Sequence, residues 1–318
     1  MKAAFLDFAT VASAELDVSP LSNLTGTFDA YDCTAADEVA ARIADCEFAY
    51  INKVRMTREV IEGAKRLRFI GLTATGVDNV ALDAAKERGV AVANIRAYCT
   101  NSVVEHVFAM LLSLSRSIGP YRDSVRRGDW ATAANFCMLD HPIRELSAMS
   151  IGIVGYGELG QAVAGVARAF GMRVLVSGRP GAGAAGVDRI AFETLLETSD
   201  VVSLHCPLTE ETRGLIGAPE FGRMKRNAIL INTARGALVD SAALVDALEN
   251  ETIAAAGIDV LPQEPPVGGD PLLDYDGDNL LMTPHIAWAT VEARQNAINE
   301  TAANVAAFLA GGDRNRIV

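Results

Sequence analysis

An arginine, two carboxylates and a histidine stand just beyond short apolar runs in the second half of this chain of 318 residues. Arg235 follows the run Ala228–Ile231, within Asn232-Thr233-Ala234-Arg235-Gly236. Asp259 and then Glu264 follow Ala254–Ile258, the latter inside Pro262-Gln263-Glu264-Pro265-Pro266. His285 follows Leu280–Met282, at the end of Thr283-Pro284-His285. A guanidinium stays protonated and forks onto carboxylate or carbonyl oxygens. An imidazole exchanges a proton near neutral pH, and a neighbouring carboxylate stabilises its cationic form. These residue types suit proton transfer to an oxygen whose developing charge an arginine holds. The chain has four histidines. His106 reads as a helix residue that packs, His141 as a loop residue before Pro142, and His205 as a strand-end residue that is structural or lines a ligand site. Only His285 joins a strand-end position to a nearby acid, so it ranks first.

A second feature is Gly155-Tyr156-Gly157-Glu158-Leu159-Gly160, a G-x-G-x-x-G match. It follows the apolar run Ile151–Val154 and opens a segment in which Leu159, Val163, Val166, Ala167 and Phe170 recur at helical spacing. In that context each glycine has a task in dinucleotide binding: Gly155 for the tight turn, Gly157 for approach of a pyrophosphate, Gly160 for close contact of helix and strand. The helix N-terminus offers N–H groups and positive dipole to phosphate. Gly181-Ala182-Gly183-Ala184-Ala185-Gly186 matches the same pattern, but it follows Arg179-Pro180 and leads into no amphipathic helix, so it reads as a loop. The next strand ends Ser177-Gly178-Arg179, where an acid would hold the ribose of NAD. Arg179 beside a small residue can pair with a 2′-phosphate. The reading therefore favours NADP(H), with NAD(H) the alternative.

These residues need a scaffold, and the rest of the chain supplies its outline. Apolar runs Ala3–Phe8, Phe48–Ile51, Phe69–Ala74 and Val90–Ala93 alternate with helical patterns such as Val80–Arg88. From Thr100, as N-cap, Val103, Val104, Val107, Phe108, Leu111 and Leu114 predict a long helix that Gly119-Pro120 ends. A second alternating series begins at Ile151, with strands at Ile151–Val154, Arg173–Val176, Val201–Leu204, Ala228–Ile231, Ala254–Ile258 and Leu280–Met282, and a helical pattern runs from Thr290 to the end. Alternation of this kind predicts α/β architecture with parallel sheets. At about 150 residues per domain the length predicts two. The division expected is residues 1–100 with 289–318, and residues 101–288, the last helix returning to the first domain.

Composition narrows the class of function. Half the residues are hydrophobic and 21% are charged, which excludes a disordered or fibrous chain. A net charge of −12 argues against nucleic acid or an anionic membrane surface as the main partner. The five cysteines, Cys33, Cys46, Cys99, Cys137 and Cys206, are odd in number and widely spaced, which reads as reduced thiols in the cytoplasm. Met1 to Asp7 reads as a first strand and not as a signal peptide. There is no H-E-x-x-H, no G-x-x-x-x-G-K-[ST], no G-x-S-x-G and no histidine pair at metal-ligand spacing.

Taken together, the glycine loop, His205-Cys206-Pro207-Leu208-Thr209, Asn232 to Gly236, Asp259-Val260-Leu261-Pro262-Gln263-Glu264-Pro265 and Thr283-Pro284-His285-Ile286-Ala287-Trp288 resemble the D-isomer-specific 2-hydroxyacid dehydrogenases over nearly the whole length. Asn52-Lys53-Val54, Thr73 to Asn79, Asn135 to Asp140 and Trp288 resemble most the bacterial glycerate dehydrogenase/hydroxypyruvate reductase group. The resemblance implies a Rossmann-type dinucleotide-binding domain and a discontinuous flavodoxin-like substrate domain, both doubly wound. It implies a catalytic triad of Arg235, Glu264 and His285. It places the cofactor on the glycine loop, on Ser177, Gly178 and Arg179, on His205, Cys206, Pro207 and Thr212, and on Thr233 and Ala234. His285 also borders the cofactor, and Asp259 positions the nicotinamide carboxamide. Asn52, Lys53, Val54, Thr75, Gly76 and Val77 bind the substrate carboxylate through backbone N–H groups, together with Arg235 and His285. The reaction implied is hydride transfer between NAD(P)H and a small 2-oxo acid, hydroxypyruvate or glyoxylate giving D-glycerate or glycolate, in a homodimer. The alternatives are a D-lactate or phosphoglycerate type of dehydrogenase, or a dinucleotide-sensing scaffold like the corepressors of this fold.

Overall fold

The computed structural model describes residues 1–12, 15–178 and 189–318. Arg179, on which the NADP(H) expectation rests, and the second glycine pattern at 181–186 lie outside the described residues. The chain divides into two compact units, Met1–Cys99 with Trp288–Val318, and Thr100–Ala287.

The first unit is built on five parallel strands, β1 (Lys2–Phe5), β2 (Thr27–Ala30), β3 (Phe48–Ile51), β4 (Phe69–Leu72) and β5 (Ala91–Ala93), in the order β2-β1-β3-β4-β5. Alternation along each strand sends side chains to opposite faces. Phe5, Phe48, Tyr50 and Phe69 fall in one cluster with Ile298, Ala302 and Val305 of the last helix (Val291–Leu309). Ala4, Ala49, Ile51, Ile70 and Val92 fall in another, with Ile43, Ile61 and Ala85 from intervening helices. Both faces are covered, so the inner strands read as continuous apolar runs. β2 is the exception. It is an edge strand with no buried residue, and its Thr-Phe-Asp-Ala sequence gave no apolar run to detect.

The second unit carries six parallel strands: β6 (Ser150–Val154), β7 (Arg173–Val176), β8 (Val201–Leu204), β9 (Ile229–Asn232), β10 (Ala255–Ile258) and β11 (Leu280–Met282). Their order is β11-β10-β9-β8-β6-β7. The chain winds outward from β6 to β7 on one side and through β8 to β11 on the other, so the order reverses between β6 and β8. Ligands of doubly wound sheets bind beyond the carboxyl ends of the strands at such a reversal.

The long helix runs Thr100–Ser115 and buries Val103, Val104, Val107, Phe108 and Leu111. Two expectations about it need correction. Gly119-Pro120 does not end it: the break comes earlier, at Ser117 with φ +49°, and a separate helix, Ile118–Arg127, contains Gly119-Pro120 in its first turn. Proline fits there because first-turn N–H groups have no intrahelical acceptor. The Thr100 side chain does not cap the helix; its hydroxyl donates to the carboxylate of Glu158. Among the described residues no helix is long and apolar enough to cross a membrane.

Candidate active site

The loop after β6 is shaped by contact with the end of β8. Gly155 has φ +93°, and a Cβ there would lie 2.4 Å from the backbone nitrogen of Cys206. A Cβ on Gly160 would lie 2.1 Å from the carbonyl oxygen of Gly155. At Gly157 a Cβ would meet nothing within 4 Å, which leaves open space above the start of the helix Glu158–Ala169. Tyr156 and Leu159 flank this opening, each partly exposed. The three glycines thus differ in environment. Gly155→Ala is expected to weaken dinucleotide binding by at least about tenfold, equivalent to about 1.4 kcal/mol. A fluorescence titration giving an unchanged Kd would show that the turn tolerates a side chain.

His205 donates its backbone N–H to the Val154 carbonyl, which ties β8 to the glycine loop. Its Nε2 meets the Ser203 hydroxyl at 2.9 Å, while Nδ1 is buried with no partner among the described residues. Burial pushes this imidazole from an ordinary value of 6.5 down to about 4, and raises the neighbouring Cys206 thiol. Between those two values the unfolded chain takes up a proton that the folded chain refuses. Stability from the neutral ring is complete above pH 6.5 and falls as pH drops toward 4, by up to about 3 kcal/mol. Urea unfolding at neutral and at mildly acid pH is expected to show a smaller acid loss in His205→Gln than in the parent chain; equal losses would remove His205 as the source.

Thr233, just past the end of β9, also holds a buried hydroxyl oxygen without a partner among the described residues. Two orphaned polar atoms on adjoining strand ends, beside a glycine cradle that a Cβ would fill, fit a polar ligand such as a dinucleotide. Ala234 donates its N–H to Asn232, whose amide in turn reaches the Arg235 carbonyl, so the chain turns tightly after β9. Thr212 accepts from Thr209 N–H and donates to the Pro207 carbonyl, closing the loop after β8. Ser177 is buried and spends its hydroxyl on the Gly178 carbonyl.

β9, β10 and β11 are neighbours, and the chemically active side chains follow from their ends. Glu264 is positioned by its own loop, with Oε1 accepting the Leu261 N–H at 2.9 Å. Its Oε2 lies 2.5 Å from Nδ1 of His285. A Cβ on Gly236 would lie 1.9 Å from the Leu261 carbonyl carbon, so the β9 loop carrying Arg235 presses directly on the loop carrying Glu264. Arg235 is exposed and donates to its own Ala234 carbonyl. His285 has φ +57°, a conformation uncommon for a residue with a side chain. Asp259 is 1% exposed and accepts from the Thr283 hydroxyl at 2.5 Å, the Ile286 N–H at 2.9 Å and the Ala287 N–H at 2.9 Å. Its carboxylate brackets the turn that presents His285, a task the sequence did not disclose.

In the first unit the strand ends hold a second surprise. Asp7, 4% exposed, accepts the backbone N–H groups of Asn52, Lys53 and Val54 at 2.8, 2.5 and 3.0 Å. A carboxylate of the chain itself thus holds the three N–H groups expected at the substrate carboxylate. The N–H groups of Thr75, Gly76 and Val77 have no acceptor among the described residues. Their loop is held in place by Asn94, whose amide reaches the Thr75 carbonyl, and by Asn79, whose amide reaches the Asn52 and Val54 carbonyls.

Comparison with known proteins agrees with this geometry. Residues 108–287 match the family model described as D-isomer specific 2-hydroxyacid dehydrogenase, NAD binding domain. The chain is 45% identical over 297 residues to a glycerate dehydrogenase of Methylorubrum extorquens, covering 92% of each. It is 38% identical over 320 residues to a hydroxypyruvate reductase of Blautia hydrogenotrophica, covering 99% of each. Among solved structures, the TT0316 protein of Thermus thermophilus superposes with a TM-score of 0.87 at 33% identity, over 100% of both chains. With a family match over more than half its length, a nicotinamide-dinucleotide fold and a paired imidazole and carboxylate at the strand ends, this chain belongs to the D-isomer-specific 2-hydroxyacid dehydrogenases.

Proposed function

We propose that the chain reduces a small 2-oxo acid, hydroxypyruvate or glyoxylate, to D-glycerate or glycolate with NADPH, and with NADH less well. The observation that carries this reading is the 2.5 Å pair of Glu264 and His285 on the sheet edge that also holds the glycine loop. Relatives named for glycerate and hydroxypyruvate support the substrate class.

The residues divide the chemistry. When bound, the cofactor supplies the hydride. Gly155, Gly157 and Gly160 hold its pyrophosphate at the helix N-terminus. Arg235 forks onto the substrate carboxylate and carbonyl oxygen and holds the charge that develops there. Glu264, as a carboxylate, accepts from Nδ1–H of His285, so Nε2 is the nitrogen that delivers the proton. Thr75, Gly76 and Val77 offer N–H groups to a carboxylate. The preference for NADPH rests on Gly178 and Arg179 standing where an acid would favour NAD. The same reading makes the protein a cytoplasmic homodimer joined through its second unit.

An absorbance assay at the nicotinamide band, with hydroxypyruvate, glyoxylate and pyruvate against both reduced cofactors, tests it. Turnover is expected to be fastest with hydroxypyruvate or glyoxylate and NADPH. Fastest turnover with pyruvate would favour a D-lactate type of enzyme, and equal use of both cofactors would remove the role given to Arg179.

A further inference from the structure

The long helix Thr100–Ser115 faces its unit mainly with apolar side chains, and among the polar residues that interrupt that face are Ser102 and His106, four positions apart. Residues spaced by four lie on one side of a helix. Both reach the same target. The Ser102 hydroxyl donates to the Ala287 carbonyl at 2.6 Å, and Nε2 of His106 lies 2.9 Å from the Thr283 hydroxyl oxygen. Thr283 and Ala287 are the residues two before and two after His285. The helix therefore grips the turn of the proton donor at both ends.

We propose that His106 is a positioning residue for His285, acting through Thr283 and Asp259. The inference rests on the assignment of His285 as proton donor. A count of hydrogens fixes the direction of the chain of bonds. A threonine hydroxyl has one proton, and Thr283 gives it to Oδ1 of Asp259 at 2.5 Å. Its oxygen can then only accept from His106, so Nε2 of His106 carries a hydrogen. The series runs His106 Nε2–H to Thr283 Oγ1–H to Asp259 Oδ1, and the last carboxylate also holds the N–H groups of Ile286 and Ala287. His106 lies 3.6 Å from the same Oδ1, which places its positive N–H edge against the buried carboxylate.

The turn needs such a bracket because of its backbone. His285 sits at φ +57°, and its own N–H is shared between the carbonyls of Asp259 and Thr283 at 2.7 and 3.0 Å. A sparsely populated conformation persists only where its surroundings over-determine it. Without the His106 donor, the Thr283 hydroxyl is free to turn from Asp259, and the carboxylate loses one of its three donors from the turn. The imidazole then no longer holds its place on Glu264, and displacement of a reacting group by about 1 Å can reduce rate about 100-fold.

Two substitutions separate this role from simple space-filling. His106→Leu fills the volume and offers no donor. His106→Gln offers an N–H. If His106 positions the donor, His106→Leu lowers kcat by about 10- to 100-fold while KM for hydroxypyruvate and Kd for NADPH stay within about threefold, the pattern of an interaction felt mainly in the transition state. The solvent deuterium isotope effect on kcat rises, and His106→Gln recovers most of the loss. Parent-like kcat in His106→Leu overturns the inference. So does an equal loss in both variants, or a loss with an unchanged isotope effect and a lowered melting temperature. Should His106→Leu fail to fold, Thr283→Val against Thr283→Ser asks the same question of the relay hydroxyl, with Val expected to lose kcat and Ser to keep it. A parent chain inactive on every 2-oxo acid would instead overturn the proposed function itself.

Discussion

His285→Ala is expected to lower turnover of the 2-oxo acid by about 10²- to 10⁴-fold, the usual worth of a positioned general acid. The hydride can reach C2 only as the carbonyl oxygen becomes an alkoxide, and an alkoxide is poorly stabilised until a proton arrives. Glu264 cannot take over as donor, because an ionised carboxylate only accepts hydrogen bonds and has no proton to give. Water can substitute only at the rate of the uncatalysed transfer. NADPH binding is expected to change little, since the phosphate cradle follows β6 and His285 follows β11, with β10, β9 and β8 between them in the sheet order. Stopped-flow reduction and a separate binding titration distinguish the two effects. Near-normal turnover in His285→Ala would falsify the assignment of the proton donor.

The second large effect belongs to Arg235. Arg235→Gln is expected to lower kcat/KM by about 10²- to 10³-fold, the range seen when an oxyanion-stabilising donor is removed. Glutamine keeps one hydrogen-bond donor group but loses the charge and the fork that matches carboxylate geometry. Arg235→Lys keeps the charge without the fork and is expected to fall between the two. Both kcat and KM are affected, because the same guanidinium binds the ground-state carboxylate and the developing alkoxide. Steady-state kinetics across substrate concentration resolves the split. A variant altered only in KM would show that Arg235 binds the acid and takes no part in the chemical step.

Sequence periodicity revealed the strands that contain an apolar run, whether central in a sheet or at its edge. Phe48–Ile51, Arg173–Val176, Val201–Leu204 and Leu280–Met282 stand as strands at the limits their apolar runs predict. β2 escaped because its Thr-Phe-Asp-Ala sequence forms no apolar run. The helix break at Ser117 escaped because it depends on a left-handed backbone at a residue with no preference for it. The pairing of Glu264 with His285 was legible because adjoining parallel strands bring their carboxyl ends to one edge whatever the intervening loops do. Asp7 on the N–H groups of Asn52 to Val54 was not legible, since a contact across 45 residues leaves no local pattern. His106 was read as a packing residue for the same reason, its partner Thr283 lying 177 residues away. One clue was present: Ser102 and His106, four apart, are polar positions on a largely apolar helix face.

The composite make-up of the first unit bears on how the molecule is born. One face of its sheet, formed by Phe48, Tyr50 and Phe69, is walled by Ile298, Ala302 and Val305, with Phe308 against Phe69 at 5.0 Å. Those wall residues leave the ribosome only after the whole of the second unit has emerged. Translation therefore completes the nucleotide-binding half before the first unit, while an aromatic surface waits uncovered at the amino end of the nascent chain. Such a surface invites association with other unfinished polypeptides. A cell making this enzyme in quantity has to keep that surface shielded until the final helix arrives.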